Sequence, residues 1–202
     1  LTTIANATLG EKPLSQSYLD GSWLLIIFAG NDTTRNSLSG TIRLLTEFPE
    51  QRQMALDDPS LIERMSHEAL RMVSPVMHMR RTAMEDTEVA GQRIAKDEKV
   101  VMWYGAANRD PSVFPNPDQF DMMRDNVDKH LAFGHGVHRC LGNRVAQLQL
   151  KMAYERILER FPNIYWTGKQ KIEPIILVHA ISSLQVNLYG KDGKRPVMVA
   201  TS

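Results

Sequence analysis

The spacing of apolar and polar positions changes several times along the chain, and each change marks an element. From Ser15 or Ser17, either a suitable N-cap, a helical pattern runs to about Phe48, and Pro49 stops it. Its first half, YLDGSWLLIIFAG (residues 18–30), is apolar on nearly every side, which predicts burial on most of its faces. AGNDTT (residues 29–34) then places poor helix formers in the middle of the same helix, a local conflict. After DDPS, Ser60 is the predicted cap of a second helix, LIERMSHEALRMV (residues 61–73), which Pro75 ends. Residues 80–108 read as short strands around turns at Ala90-Gly91 and Lys96-Asp97. RDPSVFPNPDQFDMMRDN (residues 109–126) is dense in proline and asparagine, an irregular connection long enough to suggest a role of its own. RVAQLQLKMAYERILERF (residues 144–161) is strongly periodic and stops at Pro162. The alternating IILVHAISSLQVNLYG (residues 175–190) reads as a hairpin. The expected class is mainly α with small β-sheets. No repeat, low-complexity tract or linker divides residues 1–202, so a single unit is expected.

Composition narrows the class of partner. With 202 residues, 43% of them hydrophobic, and a net charge of +1, the chain has the profile of a soluble globular protein. Near-neutral charge gives no footprint for nucleic acid or a membrane surface. The longest apolar run, WLLIIFAG (residues 23–30), is too short to span a bilayer. The start, LTTIANATLGEKPL, lacks the basic-then-apolar pattern of a signal peptide and also lacks an initiator methionine, so a chain that begins within a longer protein is expected. A single cysteine cannot form an internal disulfide, and a cytoplasmic, reducing setting is the expectation.

That cysteine, Cys140, lies in HLAFGHGVHRCLGNRV (residues 130–145), a glycine-rich loop running into a helix. A helix N-terminus and the neighbouring Arg139 both favour a thiolate. Gly134, Gly136 and Gly142 permit tight turns and the close approach of something flat. An anionic sulfur held this way suits a nucleophile, with His138 as its base, or a metal ligand; the spacing does not suit a tetrahedral zinc site. The plainer reading is a small buried residue.

FGHGVHRCLG (Phe133–Gly142) resembles the haem-binding loop of the cytochrome P450 family, with Phe133, Gly136, Cys140 and Gly142 at the matching offsets. The resemblance implies haem b as cofactor, Cys140 as the thiolate ligand of its iron, Phe133 and Gly134 packed beside it, and His138 on a propionate. EALR (Glu68–Arg71) is similar to the family's Glu-x-x-Arg pair, and Arg124 matches the arginine that completes it, implying a structural triad of Glu68, Arg71 and Arg124. AGNDTT resembles the oxygen-activation stretch: Ala29 and Gly30 leave room above the haem, Thr33 positions dioxygen, and Asp32 relays protons. Arg81, in HMRRTA, matches a second propionate ligand, whereas Arg80 reads as a solvated strand charge and His78 leans toward the pocket.

The motifs further resemble bacterial enzymes that hydroxylate the terminal carbon of medium-chain alkanes and fatty acids, with sterol or branched-lipid side-chain hydroxylases as the alternative. Leu25, Ala29 and Met77 are the candidate wall of an apolar channel. A ferredoxin-type donor with its NAD(P)H-linked reductase is the implied partner, docking on Lys129, His130, His135, Arg139 and Arg144. Family chains are about twice as long, so the C-terminal half of the P450 fold is expected. An uncovered WLLIIF face would then favour oligomers, aggregation or partial folding around haem. A non-catalytic haem-binding fragment is the expectation from another class.

Overall fold

A computed structural model describes residues 2–190. Its elements in order are α1 (Thr2–Ala5), β1 (Thr8–Leu9), β2 (Lys12–Pro13), α2 (Gln16–Glu47), α3 (Pro49–Asp57), α4 (Ile62–Val73), β3 (His78–Thr82), β4 (Thr87–Val89), β5 (Gln92–Ile94), β6 (Lys99–Trp103), α5 (Tyr104–Ala107), α6 (Asn143–Arg160), β7 (Tyr165–Glu173) and β8 (Ala180–Asn187). The strands form antiparallel pairs, β1 with β2, β3 with β6, β4 with β5 and β7 with β8. Helices therefore dominate, with small sheets beside them.

The core lies where the second half of α2 meets α4 and α6. Leu44 and Leu45 of α2, Met65, Ala69 and Leu70 of α4, and Leu150, Tyr154 and Leu158 of α6 pack into one buried cluster. Gly40 lets α2 and α4 approach closely: a Cβ there would stand 2.6 Å from Val73 Cγ2. A buried hydrogen bond of 2.7 Å between Thr41 Oγ1 and Tyr154 Oη joins α2 to α6. Its cost of burial is offset because each hydroxyl has a partner.

Several sequence expectations are corrected. Pro49 ends α2 but also starts α3, where its missing N–H costs nothing at a first helical position. Ser60 does not cap α4: Asp58 Oδ1 accepts from Ser60 N at 3.0 Å and caps the 3₁₀ turn Pro59–Leu61, and α4 begins at Ile62. Ser74, in the left-handed region at φ 43°, closes α4 before Pro75. The tail is not a hairpin within residues 175–190; β8 pairs instead with β7, in a register running from Tyr165↔Asn187 to Glu173↔Ala180. AGNDTT does not interrupt α2, which is helical throughout.

The first half of α2 departs from the burial its apolar pattern predicts and shows the uncovered WLLIIF face expected of a half-length chain. Leu24 is 70% exposed, Leu25 65% and Ile27 66%, where burial on most sides was predicted. The buried residues of α2 begin only at Asn36, because the core elements pack against its C-terminal half. Among the described residues no helix is long and apolar enough to cross a membrane. Replacing Leu24 and Ile27 together by glutamate should change the stability of the 202-residue chain by less than about 0.5 kcal/mol. The same variant should lower binding of a hydrophobic fluorescent dye; a large stability loss on chemical denaturation would contradict the exposed placement.

Candidate haem-thiolate site

Glu68 and Arg71 sit one turn apart on the buried face of α4, both with no exposed side-chain surface. Arg71 donates Nε to Glu68 Oε2 and Nη2 to Oε1, each at 2.8 Å, a two-pronged ion pair. Arg124 Nε donates to the same Oε1 at 3.0 Å, and the Asp121 amide does so at 2.9 Å. The other guanidinium bonds go to backbone carbonyls of the irregular segment and of Asn108 just before it. Arg71 reaches Asn108, Pro117 and Gln119, and Arg124 reaches Pro115, Asn116 and Gln119. Arg71 also lies 5.2 Å over the ring of Phe114. One carboxylate and two guanidinium groups thus organise a segment that has no ladder of its own.

Asn108, which sequence reasoning passed over, extends this cluster toward the cysteine loop. It is wholly buried. Its side chain donates to Ser74 Oγ at 2.9 Å, and its Oδ1 accepts the Leu131 amide at 2.7 Å. An asparagine heading a proline-dense run is a turn signal, and nothing in its type announced a buried, fully bonded role.

The loop itself is a chain of turns. The Gly134 amide donates to Leu131 O at 2.9 Å, and the Cys140 amide donates to Phe133 O at 2.8 Å. Gly134 and Gly136 take φ of 67° and 70°, which favours glycine at both places. At Gly134 a Cβ would also meet the Tyr104 hydroxyl at 3.3 Å. Gly136–His138 forms a 3₁₀ turn, and Gly142 is the N-cap residue of α6. Asn143 Nδ2 donates to Cys140 O at 2.6 Å. The loop leaves Cys140 free and exposed, with Leu141 100% exposed beside it. The buried, inert thiol is therefore not what forms.

Beside the loop a cavity of about 220 Å³ is lined by Arg81, Met102, Trp103, Tyr104, Ala107, Leu131 and His135. Arg81 lies on exposed β3 with Nη1 donating to Arg80 O at 3.0 Å. His138 is exposed and does not line this cavity. His78 is half-buried, its Nδ1 unpartnered and its ring edge-on to Trp103 at 4.7 Å. Met77 is half-buried, held through its amide by Leu177 O at 3.0 Å and through its carbonyl by Tyr104 N at 2.9 Å.

On α2, Thr33 Oγ1 donates to Ala29 O at 2.8 Å, so the hydroxyl satisfies itself within the helix and presents its lone pairs outward. Asp32 pairs with Arg35 at 3.2 Å. Leu25 and Ala29 are exposed. A Cβ at Gly30 would meet nothing within 4 Å.

One member of the expected basic face is corrected. His130 is only 7% exposed, and burial pushes its pKa down to about 3 from 6.5, with His67, Arg139 and Arg71 adding to the effect and Asp128 opposing it. It is neutral and belongs to the interior. His67, also lowered chiefly by burial, with Arg64 acting the same way and Asp128 and Glu63 opposing, faces it at 3.2 Å.

The donor set fits haem. Among the described residues no group of three or more His, Cys, Asp and Glu could hold a metal ion, so an all-protein cage is not formed. A single thiolate such as Cys140 can hold only a metal that brings its other ligands, as haem iron does; Cys140 is outside the lining of the neighbouring cavity, where Arg81 could meet a carboxylate arm.

Comparison with known proteins agrees. A family model described as cytochrome P450 matches residues 50–185. Linalool 8-monooxygenase of Pseudomonas putida is 40% identical over 190 residues, covering 94% of this chain and 47% of its own length. A steroid C26-monooxygenase of Mycobacterium tuberculosis is 35% identical over 185 residues, covering 92% and 46%. Cytochrome P450-153 from Novosphingobium aromaticivorans superposes with a TM-score of 0.80 at 42% identity, over 90% of this chain and 44% of that one. A Mycobacterium marinum cytochrome P450 in complex with pseudoionone reaches 0.88 at 36% identity, over 92% and 45%. The chain belongs to the cytochrome P450 family. It spans about half the length of the curated relatives it matches.

Two outcomes follow. Glu68→Leu strands two buried guanidinium groups and should cost about 3–5 kcal/mol by chemical denaturation; a loss below about 1 kcal/mol would contradict the cluster's placement. His130 stays neutral in the fold while the unfolded imidazole binds a proton below 6.5. Its contribution is therefore complete above that pH and is lost as pH falls, by up to about 1.4 kcal/mol per unit. Denaturation midpoints measured from about pH 7 down to about pH 5 should show this slope, flattened in His130→Gln.

Proposed function

We propose that this chain is the C-terminal half of a haem-thiolate monooxygenase. That enzyme inserts one atom of O2 into an unactivated C–H bond of a small apolar substrate and releases the other as water. The observation that carries the reading is Cys140: a lone, exposed thiol at the mouth of α6, its amide tied to Phe133 O. The relatives are about twice as long, so activity is proposed for a protein that also has the matching remainder.

Cys140 would hold the iron of haem b, with Phe133, Gly134, Gly136 and Ala29 as packing or close-approach contacts. Arg81 and His138 would hold its carboxylates. When bound, haem supplies the redox iron, and thiolate donation favours O–O cleavage. Thr33 Oγ1, its own proton engaged by Ala29 O, can accept a hydrogen bond from a protonated oxygen or water at the site. Asp32 reaches solvent beside Arg35 and can pass protons inward once that exposed pair opens. Glu68, Arg71 and Arg124 take no part in the chemistry and hold the loop's surroundings. Electrons would come from a ferredoxin-type donor supplied by an NAD(P)H-linked reductase. Exposed Lys129, His135, Arg139 and Arg144 offer it a basic face.

For substrate, the reading is terminal hydroxylation of a medium-chain alkane or fatty acid along a wall that includes Leu25, Ala29 and Met77. Relatives named for linalool and for a steroid carbon support an aliphatic chain, and the second of them keeps a sterol or branched-lipid side chain as the alternative. A non-catalytic haem-binding fragment is the rival from another class, favoured by the open Leu24–Phe28 face.

Haem-loaded, reduced protein exposed to carbon monoxide should give the strongly red-shifted Soret band of a thiolate-ligated haem. Cys140→Ser should lose it. A band typical of histidine ligation in the parent would overturn the reading. In the complete enzyme, Thr33→Ala should keep the band and release several-fold more peroxide per reducing equivalent. Unchanged coupling would remove Thr33 from its role.

A further inference from the structure

His67 and His130 are joined by a hydrogen bond whose direction can be worked out. The Ala132 amide donates to His130 Nδ1 at 3.3 Å, and a backbone N–H can only donate. His130 Nδ1 is therefore the acceptor, and the proton of the neutral ring sits on Nε2. That Nε2–H points at His67 Nδ1, 3.2 Å away, which must accept it. Both rings carry their proton on Nε2, and the order of donors runs one way, from the Ala132 amide through His130 to α4. The His130 ring also packs against Phe133 with centroids 5.8 Å apart. Phe133 O in turn receives the Cys140 amide at 2.8 Å.

We propose that His67 and His130 are positioning residues for Cys140: through them α4 fixes the Ala132–Phe133 backbone that anchors the cysteine. Neither ring touches the sulfur. The pair acts by holding the carbonyl to which the cysteine is tied, alongside the separate Asn108–Leu131 tether. Its value lies in the interior setting. His130 has almost no access to water, so when His67 is lost its Nε2–H has no substitute partner and the ring must turn. Turning breaks the Ala132 bond and the Phe133 contact together. The proposal uses the reading of Cys140 as the iron ligand only for its second readout.

The test compares His67→Leu, which removes the acceptor, with His67→Asn, whose Oδ1 takes the place of Nδ1. The first readout needs no haem. Amide hydrogen exchange at Cys140 should be at least tenfold faster in His67→Leu and return to the parent rate in His67→Asn. Exchange at Leu44 and Leu45, in the core of α2, should not change in either. Unchanged Cys140 exchange in His67→Leu would overturn the proposal, as would a rise matched at Leu44 and Leu45, because that is general destabilisation. Should the leucine variant fail to fold, the parent decides: nitrogen-15 shifts that place the neutral proton of His130 on Nδ1 would overturn the pairing. In haem-loaded protein, His67→Leu should convert the red-shifted carbon monoxide band toward the unligated-thiolate form several-fold faster than His67→Asn does. Absence of that band in the parent sinks the haem-thiolate reading and leaves the exchange result standing.

Discussion

The Glu68 carboxylate is the point on which the structure turns. It accepts from both Arg71 nitrogens, from Arg124 and from the Asp121 amide, with no exposed surface. Desolvating these charges is costly, and such clusters are not a reliable source of net stability. What they provide is choice of conformation. Residues 109–126 have almost no regular structure, and the carbonyls they turn toward the buried cluster need donors. The guanidinium groups are those donors. With the segment fixed, Asn108 is fixed, and through Leu131 the start of the cysteine loop is fixed as well.

The long helix α2 depends on a different device. Along α2, Thr33, Ser37 and Thr41 each donate to the carbonyl one turn earlier, at 2.8, 2.7 and 2.7 Å. Thr41 also meets Tyr154 of α6, deep in the core. The row begins at the half-buried candidate residue and ends in packed interior, so the lower part of α2 is anchored while the upper part is not. Leu24–Phe28 stand outside that anchored region. An apolar stretch on a polar-anchored helix is what a packing partner would cover, and the relatives have about as much chain again beyond the match.

Much of this was legible in the sequence because it depends on spacing. Glu-x-x-Arg is one helical turn, and a glycine-rich approach to a helix is a place for an anion. The bounds of α2, α4 and α6 followed from period, and the Ala90-Gly91 turn formed where expected, with a positive φ that Gly91 favours and Ala90 does not. What was not legible depends on tertiary context. The apolar pattern of α2 gave no sign of its exposure, which only the expectation of a half-length chain anticipated. β7 escaped notice because TGKQK interrupts its alternation, and its register shifts between Trp166 and Gln170. His130 read as surface charge because a histidine's type says nothing of its burial. Asn108 passed unnoticed because an asparagine's type does not distinguish a surface turn from a buried hub.

The central claim is that a buried charge cluster and its tethers hold Cys140 where its sulfur can bind the iron of a haem. Iron-edge X-ray absorption on the haem-loaded protein tests this most directly. One sulfur among the nearest neighbours of iron, absent in Cys140→Ser, is the result the account predicts. A first shell of nitrogen and oxygen alone would contradict it.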